Sequence, residues 1–304
     1  MPLDSPRHSS VSSSERRPVG LVAGWGRYPV VVAEAMRTKG YQLYCSAISG
    51  HADEALEREC YHTQWVGLAR LGAHLRYFQR HNIRQATLSG KIHKRLVFER
   101  GFLWRNPPDW QSVVTFFPHF ISGRRTRTDD SLLSAVVRFF ARGGIEIVPA
   151  TQFVPELLVH PQILGPLHLT PAQRRDVAFA WRLAKEIGQL DIGQTVIVKG
   201  QAVLAVEAVE GTDECIRRAG QLCPAGGFTV VKVAKPQQDM RFDVPTIGMG
   251  TVQTMLQCGA KLLAVEAGMT LILDRQEVAR FAQAQGITIV IIAPNELASF
   301  LDAA

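Results

Sequence analysis

No apolar run in the sequence approaches the roughly 20 residues needed to cross a bilayer, so the chain is not expected to span a membrane. Cysteine is scarce and scattered. Cys45, Cys60, Cys215, Cys223 and Cys258 are five in number, an odd count without CxxC spacing, which argues against a disulfide framework and a structural zinc site. Familiar hydrolase signatures are missing as well: no GxxxxGK[ST] phosphate loop, no DxH or GNH[DE] pattern, no Nudix glutamate helix, no GxSxG elbow and no HExxH helix. The opening MPLDSPRHSSVSSSERRP lacks the apolar core of a secretory signal. Residues 1–17 therefore read as a disordered tail, and the chain as cytoplasmic.

Acidic charge is nearly missing from one region. Between Arg70 and Arg127 twelve Lys and Arg face two acids, Glu99 and Asp109, a net +10 in a chain whose total is +7, so the remainder sums to −3. Nine aromatics share that segment, among them Phe98, Phe102, Trp104, Trp110, Phe116, Phe117 and Phe120. Cations interleaved with aromatic rings suit nucleic acid, a membrane surface, or a ligand with both phosphate and apolar parts. A solvated basic face over core aromatics has the same composition. With no RNA-binding sheet motif, zinc finger or basic zipper helix, nucleic acid is the least supported partner.

What is present has the order of an α/β protein in two parts. PVGLVAG, WGRYP, VVVAEAMRTKG and YQLYCSAIS follow as strand, glycine turn, helix and strand, a βαβ unit that implies a parallel sheet. QATLSG and GIEIVPA add strands, with a helical DDSLLSAVVRFFARGG between them. This gives an N-terminal Rossmann-like domain over 18–150. The stretch 151–170 holds three prolines, with a fourth at Pro171, and no long periodic run, and reads as a linker. From 171 to 304 a helical AQRRDVAFAWRLAKEIGQL precedes the β-branched runs TVIVKG, AVLAVEA, FTVVKV, LLAVEA and ITIVIIAP, a mixed α/β domain. The pentapeptide LAVEA occurs twice, at 204–208 and 263–267, too short to prove a repeat.

Four places carry candidate chemistry. In GWGRYP, Gly24 and Gly26 follow a strand and precede a helix, a turn that suits an anion or is simply tight. A dinucleotide fingerprint needs a third glycine and an acid ending the second strand; Pro29 and ISGH stand there instead, so NAD is not expected. In RRTRTDDSLL, Thr128, Asp129 or Asp130 caps the helix that follows. VEAVEGTDECIRRAG gathers Glu207, Glu210, Asp213 and Glu214 around a Gly-Thr-Asp turn, either a helix cap or an oxygen-only Mg²⁺ site beside phosphate. AKPQQDMRFDVPTIGMGT places Asp239 and Asp243 among Lys232, Lys235 and Arg241 on a loop broken by Pro236, Pro245, Gly248 and Gly250. Cations and carboxylates on a stiff loop suit phosphoryl chemistry, and equally a surface ion-pair loop.

EGTDECIRRAG, VVKVAKPQQDMRFDVPTIG and LAVEAGMTLILDR resemble the C-terminal half of the LpxI family. GWGRYP, SGKI at 89–92, TDDSLL and LGPLHLTPAQRRDVAFAWRLAKEIGQLDIGQ match the same family in order, from about Val19 to the end. The resemblance implies an Mg²⁺-dependent hydrolase that splits the pyrophosphate of UDP-2,3-diacylglucosamine into UMP and 2,3-diacylglucosamine 1-phosphate, lipid X, in lipid A biosynthesis. It makes Asp243, the acid of RxDxP, the essential residue and Asp239 its helper. Substrate contacts are expected at Gly24, Gly26, Lys91, Thr212, Asp213, Lys235 and Arg241, and metal ligation at Asp243, Asp213 and Glu207. Peripheral contact with the inner-membrane surface and self-association stay open. The competing readings are a nucleotide-sugar-binding module without chemistry and a protein that binds acidic lipid or a partner through its basic face.

Overall fold

The computed structural model describes residues 17–92, 107–120, 129–166 and 169–298. Expectations for the N-terminal tail, for Phe98, Phe102 and Trp104, and for residues 124–128 lie outside these. The chain divides into two compact units, Met1–Ile147 and Val148–Ala304.

In the first unit the described strands are β1 (Pro18–Ala23), β2 (Gln42–Ile48), β3 (His62–Val66), β4 (Gln85–Ser89) and β5 (Glu146–Ile147). All neighbours pair in parallel, in the order β3-β2-β1-β4-β5. β1 lies between two partners and is apolar throughout: Val19, Leu21 and Ala23 are buried on one face, while Gly20, buried, and Val22, half-buried, lie on the other. Helix α1 (Tyr28–Thr38) starts directly after the glycine turn with Pro29 in its first turn, where the missing N–H is harmless. The Rossmann-like reading of this half is therefore correct. It overlooked β3 and the helices α2 (Leu56–Glu59) and α3 (Leu71–Arg80) between the second strand and the fourth. Two further helices, α4 (Trp110–Phe120) and α5 (Asp129–Arg142), precede β5.

The second unit carries helix α6 (Ala150–Phe153) and β6 (Gln162–Leu164), then α7 (Pro171–Gln189), β7 (Thr195–Lys199), β8 (Ala202–Val206), α8 (Thr212–Leu222), β9 (Thr229–Lys232), β10 (Thr246–Ile247), α9 (Met249–Cys258), β11 (Leu262–Glu266), β12 (Leu271–Ile272), α10 (Arg275–Gln285) and β13 (Thr288–Ile292). Its main sheet runs β6-β13-β11-β9-β7-β8. β9, β11 and β13 are parallel, while β6 and β7 run antiparallel to their neighbours, so the sheet is mixed as expected.

Strand periodicity sorts this sheet into three layers. Ile197, Val230, Leu263, Val265, Ile289 and Ile291 face a core shared with Ile216, Val252, Met255 and Val278 of α8, α9 and α10. The alternate residues Val196, Val198, Val231, Leu262, Ala264 and Val290 face Val177, Ala180, Trp181 and Ala184 of α7. The stretch 151–170, read as a linker, supplies β6 to this sheet: Val290 pairs with Ile163, and Val159 exchanges backbone hydrogen bonds with Thr270 (3.0 Å) and Gly268 (2.8 Å). Three residues of strand are too short to show alternation, and the prolines around them masked it.

Candidate active site

Because β8, β9, β11 and β13 run the same way, their carboxyl ends share one edge of the sheet, where open α/β sheets present ligand-binding groups. Glu207 follows β8, Lys232 ends β9 and Glu266 ends β11. All three are ionisable and all are buried, at 7%, 7% and 4% exposure. A charged group buried at a strand end needs partners, and each has them.

Glu266 accepts from Lys185 Nζ of α7 on both oxygens (2.8 and 2.7 Å) and from the backbone N–H of Ala234 (2.8 Å). Lys185 Nζ also donates to Ala234 O at 2.9 Å. The buried pair thereby pins Ala234, two residues past the end of β9. Further along, Lys235 Nζ meets Asp191 Oδ1 at 2.6 Å, and Gln237 Nε2 donates to Gly188 O at 2.9 Å, tying the loop to the end of α7. Gln238 Oε1 accepts the Lys235 N–H (2.8 Å) and its Nε2 donates to Asp243 Oδ2 (2.6 Å).

Asp239 was expected to assist Asp243 as a second catalytic acid. Its carboxylate instead takes Arg241 in a forked contact, Nε to Oδ1 at 2.9 Å and Nη2 to Oδ2 at 2.5 Å, and that guanidinium holds the Asp239 carboxyl below its usual range. Asp239 supports the turn as well, since its carbonyl accepts the N–H of Asp243 at 3.0 Å. The loop is thus shaped as expected, with Asp239 and Arg241 satisfied by one another and Asp243 oriented by Gln238.

A second cluster lies at the ends of β8 and β9. Thr212 Oγ1 donates to Glu207 Oε1 (2.9 Å) and accepts from Lys232 Nζ (3.0 Å), which also reaches Thr246 O (3.2 Å). Glu207 Oε2 is buried without a hydrogen-bond partner. Gly193 permits this packing: a Cβ there would lie 2.0 Å from Glu207 O. Asp213 turns away to accept from Thr251 Oγ1 of α9 at 2.8 Å. Among the described residues no three His, Cys, Asp or Glu side chains come together as a metal cage. The expected metal set of Asp243, Asp213 and Glu207 is accordingly not assembled as a trio. The orphaned Glu207 oxygen still fits a hard cation, because Mg²⁺ commonly takes one or two carboxylates and completes its shell with water and substrate phosphate.

In the first unit the order of strands reverses between β1 and β4, the switch point where such sheets bind ligands. Gly24, Gly26 and Lys91 meet there. Gly24 N donates to Ser89 O (2.8 Å), and Trp25 and Lys91 exchange backbone hydrogen bonds (2.8 and 2.9 Å). A Cβ on Gly24 would sit 2.8 Å from Lys91 O, whereas Gly26, at φ +104°, borders open space.

A Rossmann-like unit followed by a mixed α/β unit with paired acids and cations at its carboxyl edge defines a two-part α/β protein with a polar, anion-suited site. The family model for the LpxI N-terminal domain matches residues 18–157, and that for the LpxI C-terminal domain matches 161–290. The chain belongs to the LpxI family. A protein of Caulobacter vibrioides named UDP-2,3-diacylglucosamine pyrophosphatase LpxI is 30% identical over 293 residues, covering 92% of this chain and 99% of the relative.

Lys185, Gln238 and Glu266 were not singled out from sequence. For Glu266 a signal existed: LAVEA at 204–208 and at 263–267 places Glu207 and Glu266 at the carboxyl ends of two strands of one sheet. Lys185 sits mid-helix, 81 positions from its partner, and no local pattern marks it.

Proposed function

We propose that the protein hydrolyses the pyrophosphate of UDP-2,3-diacylglucosamine to UMP and 2,3-diacylglucosamine 1-phosphate, with Asp243 as the catalytic carboxylate. The observation that carries this is the placement of Asp243: an oriented acid on a pinned loop at the carboxyl edge of the sheet, in a chain of this family. Water attacks one phosphorus and gives its proton to Asp243 as the new P–O bond forms. The bond from phosphorus to the bridging oxygen breaks, and that oxygen departs with the other phosphate. Lys232 and Lys235 supply positive charge against the diphosphate, and Thr212 and Asp213, opening α8, bring the backbone N–H groups of its first turn. Arg241, fixed by Asp239, adds to the local field. Gly24, Gly26 and Lys91 are the proposed contacts at the switch point of the first unit.

Mg²⁺ is proposed as the cofactor, held by Glu207 and Asp243; bound, it neutralises charge on the diphosphate. Its removal by EDTA and restoration should switch turnover off and on.

Among the described residues no helix is long and apolar enough to cross a membrane. We assign peripheral contact with a lipid surface to α4, where Trp110 (76% exposed), Val113 and Val114 recur at helical spacing on a helix without an acid. Trp110→Glu should reduce sedimentation with anionic vesicles.

The deciding experiment incubates the protein with UDP-2,3-diacylglucosamine and Mg²⁺ and identifies products by mass spectrometry. Asp243→Ala should lower kcat by a factor on the order of 10² or more while substrate still binds. A folded Asp243→Ala protein with normal kcat would refute the assignment.

A further inference from the structure

The loop from Ala234 to Asp243 is anchored many times over. Ala234 is held by Lys185 and Glu266, Lys235 by Asp191, Gln237 by Gly188, and Asp239 by Arg241. None of these contacts reaches the Asp243 side chain. Gln238 does.

The orientation of the Gln238 amide follows from its neighbours. Its backbone N–H donates to Lys235 O (3.0 Å) and its Oε1 accepts from Lys235 N (2.8 Å), closing a compact turn. A flipped amide would set NH₂ against N–H and carbonyl oxygen against carboxylate, so only one orientation satisfies both ends. Nε2 must therefore face Asp243, and it donates to Oδ2 at 2.6 Å. A carboxylate on a two-torsion side chain rotates unless a directional bond holds it, and misplacement of a reacting group by about 1 Å can cost 10²-fold in rate.

We propose that Gln238 is a positioning residue for the hydrolysis, its carboxamide fixing the rotation of the Asp243 carboxylate against the rigid Lys235 turn. The proposal rests on the catalytic reading of Asp243. Because Lys185, Glu266, Asp191 and Gly188 hold the loop at Ala234, Lys235 and Gln237, loss of the Gln238 amide should leave the fold and substrate affinity in place and lower the chemical step alone.

The test is a double-mutant cycle with Gln238→Met, which keeps length and volume but removes both hydrogen bonds, and Asp243→Ala. UMP release from radiolabelled substrate is measured with enzyme in excess, alongside substrate Kd and Tm. Gln238→Met should lower kcat on the order of 10-fold, with Kd changed by less than about 2-fold. In the Asp243→Ala background it should cost nothing further, since there is no carboxylate left to orient. Multiplicative losses in the double variant would overturn the proposal, as they would mark a structural effect independent of Asp243. Normal kcat in Gln238→Met beside an impaired Asp243→Ala would overturn it while sparing the catalytic assignment. Normal kcat in Asp243→Ala would remove both.

Discussion

Replacing Glu266 by alanine should destabilise the second unit by about 3 kcal/mol, a figure built from its contacts. The Glu266 side chain is 5% exposed and accepts from Lys185 Nζ and from Ala234 N–H. Truncating one partner of a buried ion pair costs about 3–5 kcal/mol, and an unpaired buried N–H about 1–3 kcal/mol. These overlap rather than add, and the Lys185 side chain, 28% exposed, recovers part of its loss from water and from Ala234 O. With a urea m-value of about 1–3 kcal/mol per molar, the midpoint should fall by roughly 1–3 M, a large part of a domain stability of about 5–15 kcal/mol. Glu266→Gln keeps an acceptor for Ala234 and should lose less. Lys185→Met combined with Glu266→Ala should recover part of the deficit, since no ammonium is then left unpaired. Glu214→Ala, which removes an exposed pair with Arg217, is the reference and should stay within about 0.5 kcal/mol of the parent. A midpoint for Glu266→Ala no lower than that of Glu214→Ala would refute the reasoning.

How much of this was legible in the sequence depended on the range of the interactions. The βαβ opening, the helix α7 over Pro171–Gln189 and the β-branched strands of the second unit follow from local periodicity, and they formed where expected. β3 was overlooked because His62, Thr63, Gln64 and Trp65 are none of them fully buried, so little apolar alternation reaches the sequence. At the site, residue types and loop position were legible because prolines and charges are local signals. The pairings were not. Asp239 meets Arg241 two positions away, while Lys235 meets Asp191 44 positions away and Thr251 meets Asp213 38 away, and only the fold decides between them. The resemblance made Asp239 the helper of Asp243; that its carboxylate forks onto the neighbouring Arg241 guanidinium is visible only in the fold.

In the first unit, Gly90→Ala should cost about 1–3 kcal/mol, because Gly90 sits at φ +95° with a Cβ position 2.8 Å from Gly24 C and 2.9 Å from Trp25 O; a melting temperature equal to the parent's would show that the turn yields. Asp109→Ala should lose about 1–2 kcal/mol in denaturant unfolding, since Asp109 accepts from Ser112 N (2.9 Å) and Oγ (2.8 Å) ahead of α4 and from Ala73 N (3.2 Å); an unchanged midpoint would count against the cap. The third concerns His74, buried with Nδ1 2.6 Å from Ser46 Oγ. Burial disfavours its cation and lowers its pKa from 6.5 to about 4, against the opposing pull of the Gly67 backbone and the Asp109 charge. The unfolded chain then binds the proton more readily, so this contribution to stability is complete above pH 6.5 and is lost as pH falls to about 4. At about 1.4 kcal/mol per pH unit the loss approaches 3 kcal/mol. His74→Gln, which cannot titrate, removes this slope while leaving that of the carboxylates. Urea midpoints at several pH values between 4 and 7 should therefore fall less steeply for His74→Gln than for the parent, and parallel slopes would show that His74 is not held neutral in the fold.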